Sequence, residues 1–299
     1  MMIKRYTSLL LTLPLCALLA SSLQAQNFSK HNRYRTVGLS LNALNYFGDV
    51  VPDVRMSSLR LGSTRPGVSL SATQRFTPRL SGRAMLTYGR IVGRDSKSAS
   101  DNDAGAPLRY ERNINFRNNL LELSAVGVFD LVENRGDYLH RPDFVPYVFA
   151  GVAVFHHNPK GLVGGGSIPQ GLSEGSYIAL QPLRTEGQST GYQRTQFALP
   201  FGGGVRYRLT KELDLGLEIG WRRTSTDYLD DVGGLYTDVS NLTSPAARYF
   251  GHDVTRGNID GFAAPAQVRG VGRHNDWYLV TGLTVQYLIP QAMSGLKFR

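Results

Sequence analysis

Residues 213–223 alternate strictly in character. Leu213, Leu215, Leu217, Ile219 and Trp221 share one face, and Asp214, Gly216, Glu218, Gly220 and Arg222 share the other. Successive side chains of a strand point to opposite sides, whereas a helix would scatter these charges around its circumference. Residues 277–289 repeat the pattern, with Trp277, Leu279, Leu283, Val285, Tyr287 and Ile289 opposing Tyr278, Gly282, Thr284 and Gln286. Residues 34–46, 66–74, 80–91, 115–130 and 196–209 alternate in the same way. Residues 144–155 are apolar on both faces, so the pattern makes them a strand without choosing its orientation.

The connections between these segments alternate in length. Residues 75–79, 131–143 and 210–212 are short, and 47–64, 92–114, 156–195 and 225–276 are longer and rich in Gly, Ser, Asp and Asn. Short turns at one end and long loops at the other are the signature of a barrel crossing an outer membrane; a soluble sandwich has no reason to alternate so. The expected fold is therefore all-β: an eight-stranded antiparallel up-and-down transmembrane β-barrel with four long extracellular loops. Trp277 and Tyr287 lie near the two ends of their segment, where aromatic girdles meet the membrane interfaces.

The first residues change where this chain is expected to act. Lys4 and Arg5 precede the apolar stretch 9–20, and Leu23-Gln24-Ala25 places a small residue before Gln26. This is the form of a secretory signal, too short for a spanning helix. The expected organisation is a signal peptide at 1–25, a short periplasmic segment at 26–33, the barrel at 34–289 and a short periplasmic tail at 290–299. Localisation would be the cell outer membrane. Cys16, the single cysteine, would leave with the signal, taking with it disulfide and thiol chemistry.

The chain carries 33 Lys+Arg against 23 Asp+Glu, and loss of Lys4 and Arg5 leaves 31 against 23. For an exported protein this basic balance points to anionic lipid or lipopolysaccharide phosphates as partners rather than to nucleic acid. A barrel of eight strands has an interior that side chains fill. The inward-facing candidates Arg83, Glu122, Arg206, Arg208, Asp214, Glu218 and Arg222 carry both signs and are expected to pair, since buried charges require partners. Function is then expected on loops, turns or outer wall.

Asp227, Asp230 and Asp231 follow the seventh segment, and His156 and His157 follow the fifth, so all would lie on the extracellular rim. Carboxylates beside an imidazole can activate water, although such groups more commonly cap strand ends and bond loop backbone. No G-x-S-x-G, HExxH or Walker pattern occurs, and the chain offers no expected catalytic, metal or cofactor site. Gly202-Gly203-Gly204 lies inside a strand, where glycines admit a bulky neighbour or bend the wall.

Several segments, in this order, resemble one family. These are Asn45-Tyr46-Phe47-Gly48-Asp49, Leu86-Thr87-Tyr88-Gly89-Arg90, Asn115-Phe116-Arg117-Asn118-Asn119, Pro146-Tyr147-Val148-Phe149-Ala150-Gly151, Thr185-Glu186-Gly187-Gln188, Thr226-Asp227-Tyr228-Leu229-Asp230-Asp231-Val232 and Asn275-Asp276-Trp277-Tyr278. From about Tyr34 to Ile289 the chain resembles the PorG-like outer-membrane β-barrels of Bacteroidota. The resemblance implies a non-enzymatic membrane protein. It implies an accessory role in type IX, gliding-associated protein secretion, with periplasmic ring proteins or the translocon as partners. The loop motif residues Asp227, Tyr228, Asp230, Asp231, Glu186 and Trp277 would then be packing elements or a docking surface. The other expectations are a stand-alone surface barrel that adheres through its loops, and a rim hydrolase.

Overall fold

The computed structural model describes residues 32–50, 61–95, 112–137, 139–164, 167–252, 263–270, 272 and 274–289. The expected signal peptide, the tail and most of the first periplasmic segment lie outside the described residues. The strands are β1 (Arg35–Phe47), β2 (Arg65–Arg75), β3 (Leu80–Arg94), β4 (Asn115–Asp130), β5 (Phe144–Leu162), β6 (Tyr177–Ala179), β7 (Thr195–Arg208), β8 (Leu213–Thr224) and β9 (Trp277–Ile289). A short helix, α1 (Pro245–Gly251), lies in the connection between β8 and β9.

Eight strands close on themselves. Neighbours pair antiparallel, β1 pairs with β9, and β4 pairs with β5, while β6 is a side strand on the far end of β5. The register tilts the wall. A perpendicular path from Tyr287 runs through Val37, Ala72, Ala84, Ala125 and Val152. It continues in register past Ala153↔Ala198 to Leu199, Arg223 and Trp277, ten residues from its start on β9. That stagger is the shear that a closed barrel requires.

Alternation decides which side meets lipid. Leu41 and Phe197 are 66% and 71% exposed on the outside, whereas Ser40 and Glu122 are 4% and 1% exposed inside. For β5, whose pattern left the choice open, Val148 and Val152 face out and Tyr147, Phe149 and Phe155 face in. The interior accepts the rings of Tyr147 and Phe149 because β7 sets glycines against them. A Cβ on Gly202 would come within 2.9 Å of Phe149, and one on Gly204 within 2.7 Å of Tyr147.

Two of the short turns use one device. Thr77 Oγ1 accepts from the amides of Arg79 and Leu80, and Thr210 Oγ1 accepts from those of Glu212 and Leu213. A threonine hydroxyl thereby satisfies backbone groups that the ladder leaves open at a strand end. The main difference from the expected segments is β5, which runs on through His156 and His157 to Leu162. Its extension keeps its partner, with Leu120↔His157 and Arg117↔Lys160 in register on β4. The polar residues there signal a level above the lipid, not the end of the strand.

Candidate functional site

Charges from opposite walls meet inside the barrel. Nη1 of Arg83 lies 2.6 Å from Oε2 of Glu218, which also accepts from the Tyr147 hydroxyl at 3.0 Å. Arg222 lies 3.5 Å from Glu122, which also accepts from the Tyr278 hydroxyl. Toward the periplasm, Arg206 and Arg75 converge on Asp130 at 2.8 and 3.3 Å. Arg141, from the turn between β4 and β5, reaches in to Asp214 at 2.7 Å. Arg208 sits apart at the periplasmic rim, half-buried, bonding the carbonyl of Arg141 and pairing with Asp143. Two cavities lined by these charges hold only about 10 Å³ each. A space that size holds about one water.

The extracellular mouth is filled from above. Leu229 and Val232, both fully buried, insert among Tyr46, Ile91, Phe116 and Phe155. Asn118 Nδ2 holds the carbonyl of Leu229 at 2.8 Å. The segment 226–232 therefore enters the barrel as a plug. Asp231 turns the chain at φ +73°, a conformation that a side chain adopts at a cost. Its carboxylate accepts from Thr185 at 2.6 Å and Tyr192 at 2.7 Å.

A second carboxylate joins the third and fourth extracellular connections. Glu186 Oε1 accepts from the amides of Gly233 and Gly234 and from Nη1 of Arg269, each at about 3.0–3.1 Å. Its Oε2 accepts from the Tyr228 hydroxyl at 3.3 Å. Tyr228, Tyr192 and His157 stack in sequence with near-parallel rings.

Burial controls the acidity of this cap. Loss of water raises the Asp227 carboxyl to about 8, with the charges of Asp49 and Glu186 adding to the effect. Burial also raises Asp231 to about 6, although Arg269 opposes the rise. Asp230 and Asp276 are both pushed well up, first by burial, then by Asp49 for Asp230 and by Asp230 for Asp276. The hydroxyl of Tyr46 lies 2.5 Å from Asp230 and 3.1 Å from Asp276. One hydroxyl supplies one proton, so both contacts are hydrogen bonds only if one of the carboxyls carries a proton of its own.

The residues singled out on the rim thus separate. Asp230 and Asp231 are inside the plug, and Asp227 and Tyr228 are half-buried around it. Trp277 lies on the outer wall, edge-on to Phe201 and under the Arg223 guanidinium. His156 and His157 lie within β5 and face opposite ways, His156 exposed and hydrogen-bonded to Thr195, His157 fully buried. No carboxylate–imidazole pair forms among these groups. Among the described residues no group of three His, Cys, Asp or Glu side chains is arranged to hold a metal. Sequence reasoning missed Arg75, Arg141 and Arg269. Each precedes or lies in a connection, where alternation assigns no face.

A closed barrel with an apolar outer wall, paired charges inside and a plugged mouth defines the class of outer-membrane barrels. The sequence matches the outer membrane protein beta-barrel domain over residues 13–250, and the chain belongs to that family. Its location is the outer membrane. Among solved structures it is similar to Ail, the attachment invasion locus protein of Yersinia pestis. That match has 8% identity, 86% of this chain and 97% of that one covered, and a TM-score of 0.35. OprG of Pseudomonas aeruginosa matches at 9% identity over 87% and 97% of the chains, with a TM-score of 0.39. Neisserial surface protein A matches at 14% over 86% and 96%, with a TM-score of 0.35. Comparison with curated proteins gives no match.

Proposed function

We propose that this protein is a non-enzymatic scaffold of the outer membrane that anchors periplasmic components of a type IX, gliding-associated secretion machinery. The observation that carries the scaffold reading is the closed interior. Cross-barrel pairs such as Arg83–Glu218 fill the lumen, and Leu229 and Val232 fill the mouth. That leaves the turns, loops and outer wall as working surfaces. The resemblance over residues 34–289 supports the secretion role, and the periplasmic face suits it. The turn 131–143 is pinned from inside by Arg141, which bonds Asp214 and the carbonyls of Thr210 and Lys211. Leu131, Val132 and Leu139 on that turn are exposed, giving a partner a fixed apolar surface.

Export follows the N-terminal signal, with cleavage after Ala25, which N-terminal sequencing of the membrane form checks. The role is tested by affinity purification from the native outer membrane together with deletion of the gene. Recovery of periplasmic ring proteins or the translocon, with loss of secreted cargo on deletion, is the expected result. Normal secretion in the deletion strain overturns the role.

A second reading, surface adhesion, is favoured by one observation: Glu186 and Arg269 lock the third and fourth connections together into a set shape. Loop deletions that abolish surface binding while secretion persists would select it. A rim hydrolase lacks support in the geometry, because Asp230 and Asp231 are buried and hydrogen-bonded and His156 faces away from them.

A further inference from the structure

The outward faces of β3, β4 and β5 change character at one level. Apolar or small outward positions run from Leu80 to Tyr88 on β3, Phe129 to Leu121 on β4 and Phe144 to Val154 on β5. Each run matches the ~9–11 residues that a tilted strand needs to cross the hydrocarbon core. Above them on the extracellular side the outward positions carry Arg90 on β3, Asn119 and Arg117 on β4, and His156, Asn158 and Lys160 on β5. Register brings them together, since Arg117 stands opposite Lys160, and Asn119 stands opposite Arg90. Arg117 and Lys160 line a depression of about 260 Å³ together with Tyr88, Asn119 and His156, and Arg90 reaches it through its bond to Asn119.

The two arginines are positioned by neighbours other than carboxylates. Arg90 Nε donates to Asn119 Oδ1 at 2.7 Å, and Asn119 Nδ2 donates to the Tyr88 hydroxyl at 3.2 Å. The Arg117 guanidinium lies 3.4 Å over the ring of Tyr177 on β6. Among the described residues no carboxylate pairs with Arg90, Arg117 or Lys160. This contrasts with the lumen, where arginines from opposite walls find carboxylates.

The geometry points to a binding site for the phosphorylated lipid A headgroup of outer-leaflet lipopolysaccharide, with phosphates on Arg90, Arg117 and Lys160 and acyl chains on the apolar wall below. Guanidinium groups match phosphate geometry, and fixing them beforehand lowers the cost of binding. Strands ~4.8 Å apart spread the cations over roughly 10 Å. That is wider than a single phosphate and suits two phosphates on one disaccharide. A soluble polyanion would leave the adjoining apolar band unused.

The test uses the full-length barrel in mild detergent and bisphosphorylated lipid A, with dephosphorylated lipid A and phosphatidylglycerol as comparison probes, read by native mass spectrometry. The expected result is one lipid A retained per barrel, salt-sensitive and preferred over both comparison lipids. Arg90→Ser, Arg117→Ser and Lys160→Ser should each weaken retention by roughly fivefold, the effect of one cation near an anionic surface. Arg223→Ser on the other wall should leave it unchanged. Heat-modified gel mobility verifies that each variant is folded, and Lys160→Ser, above the lipid band, serves if the arginine variants fail to fold. Equal retention of dephosphorylated lipid A overturns the proposal, as does equal retention of phosphatidylglycerol or indifference to all three substitutions.

Discussion

Arg83 on β3 and Glu218 on β8 span the lumen with a 2.6 Å contact, and both side chains are nearly inaccessible to solvent. Glu218 has a second donor in Tyr147, whereas Glu218 is the only carboxylate paired with Arg83 among the described residues. The two deletions should therefore differ. Glu218→Ala leaves a buried guanidinium without a counter-charge and should cost about 3–5 kcal/mol. Arg83→Ala leaves Glu218 one hydrogen bond and should cost less. Urea unfolding of the refolded barrel, followed by gel mobility, gives the order; the reverse order would mean that the pair does not hold the wall as described.

The shared proton around Tyr46 gives a second expectation. Asp276 accepts from the Leu229 amide through Oδ2 and faces the Tyr46 hydroxyl through Oδ1. Asp276→Asn keeps the acceptor for Leu229 and supplies an N–H toward Tyr46, without a charge near Asp230. Stability at neutral pH should be unchanged or higher. Asp276→Ala leaves the Leu229 amide and the hydroxyl short of a partner and should cost about 1–3 kcal/mol. Similar losses for the two variants would show that Asp276 is ionised in the folded barrel.

The wall was legible in the sequence and the plug was not, for physical reasons. Period-two alternation is imposed on a strand by lipid on one side and polar packing on the other, so the segments at 115–130 and 277–289 coincide with β4 and β9. The charge pairs across the lumen depend on which strands face each other around the closed barrel, and alternation gives side without partner. Leu229 and Val232 sit in a connection where no period applies, so two fully buried apolar residues read as part of a polar rim. The adjacent aspartates drew attention for their chemistry. Their burial is a property of the fold of the connections around them, which local sequence does not carry.

The glycines of β7 make a sharper structural prediction. A Cβ at Gly202 would lie 2.2 Å from the carbonyl oxygen of Ile219 and 2.9 Å from the Phe149 ring. Neither the neighbouring backbone nor a ring packed inside the barrel can move away freely. Gly202→Val should destabilise by at least the roughly 1–3 kcal/mol of an overpacked core. Gly164→Val, at a position with nothing within 4 Å, should be tolerated. Folding yield into detergent micelles compares the two, and equal yields would mean that the ring does not sit against Gly202.

The extracellular cap should loosen as pH rises. Asp231 and Asp227 have an ordinary value of 3.8, raised in the closed cap to about 6 and about 8. A carboxyl whose closed-state value is raised holds its proton more tightly when closed, so closure is favoured by acid. Below about pH 4 both states are protonated and closure is at its strongest. Between pH 4 and 6 opening releases a proton from Asp231, and up to pH 8 it releases one from Asp227, so each step of pH favours opening. Hydrogen exchange of the amides of residues 226–234, corrected for intrinsic chemical rates, should show protection falling from pH 4 to 8. Asp227→Asn should make the decline shallower by one proton between pH 4 and 8 and leave Asp231's share below 6, because Asp231 keeps its place against Arg269 and Tyr192. A decline unaffected by Asp227→Asn would assign the upper step to the Asp230–Asp276 pair instead.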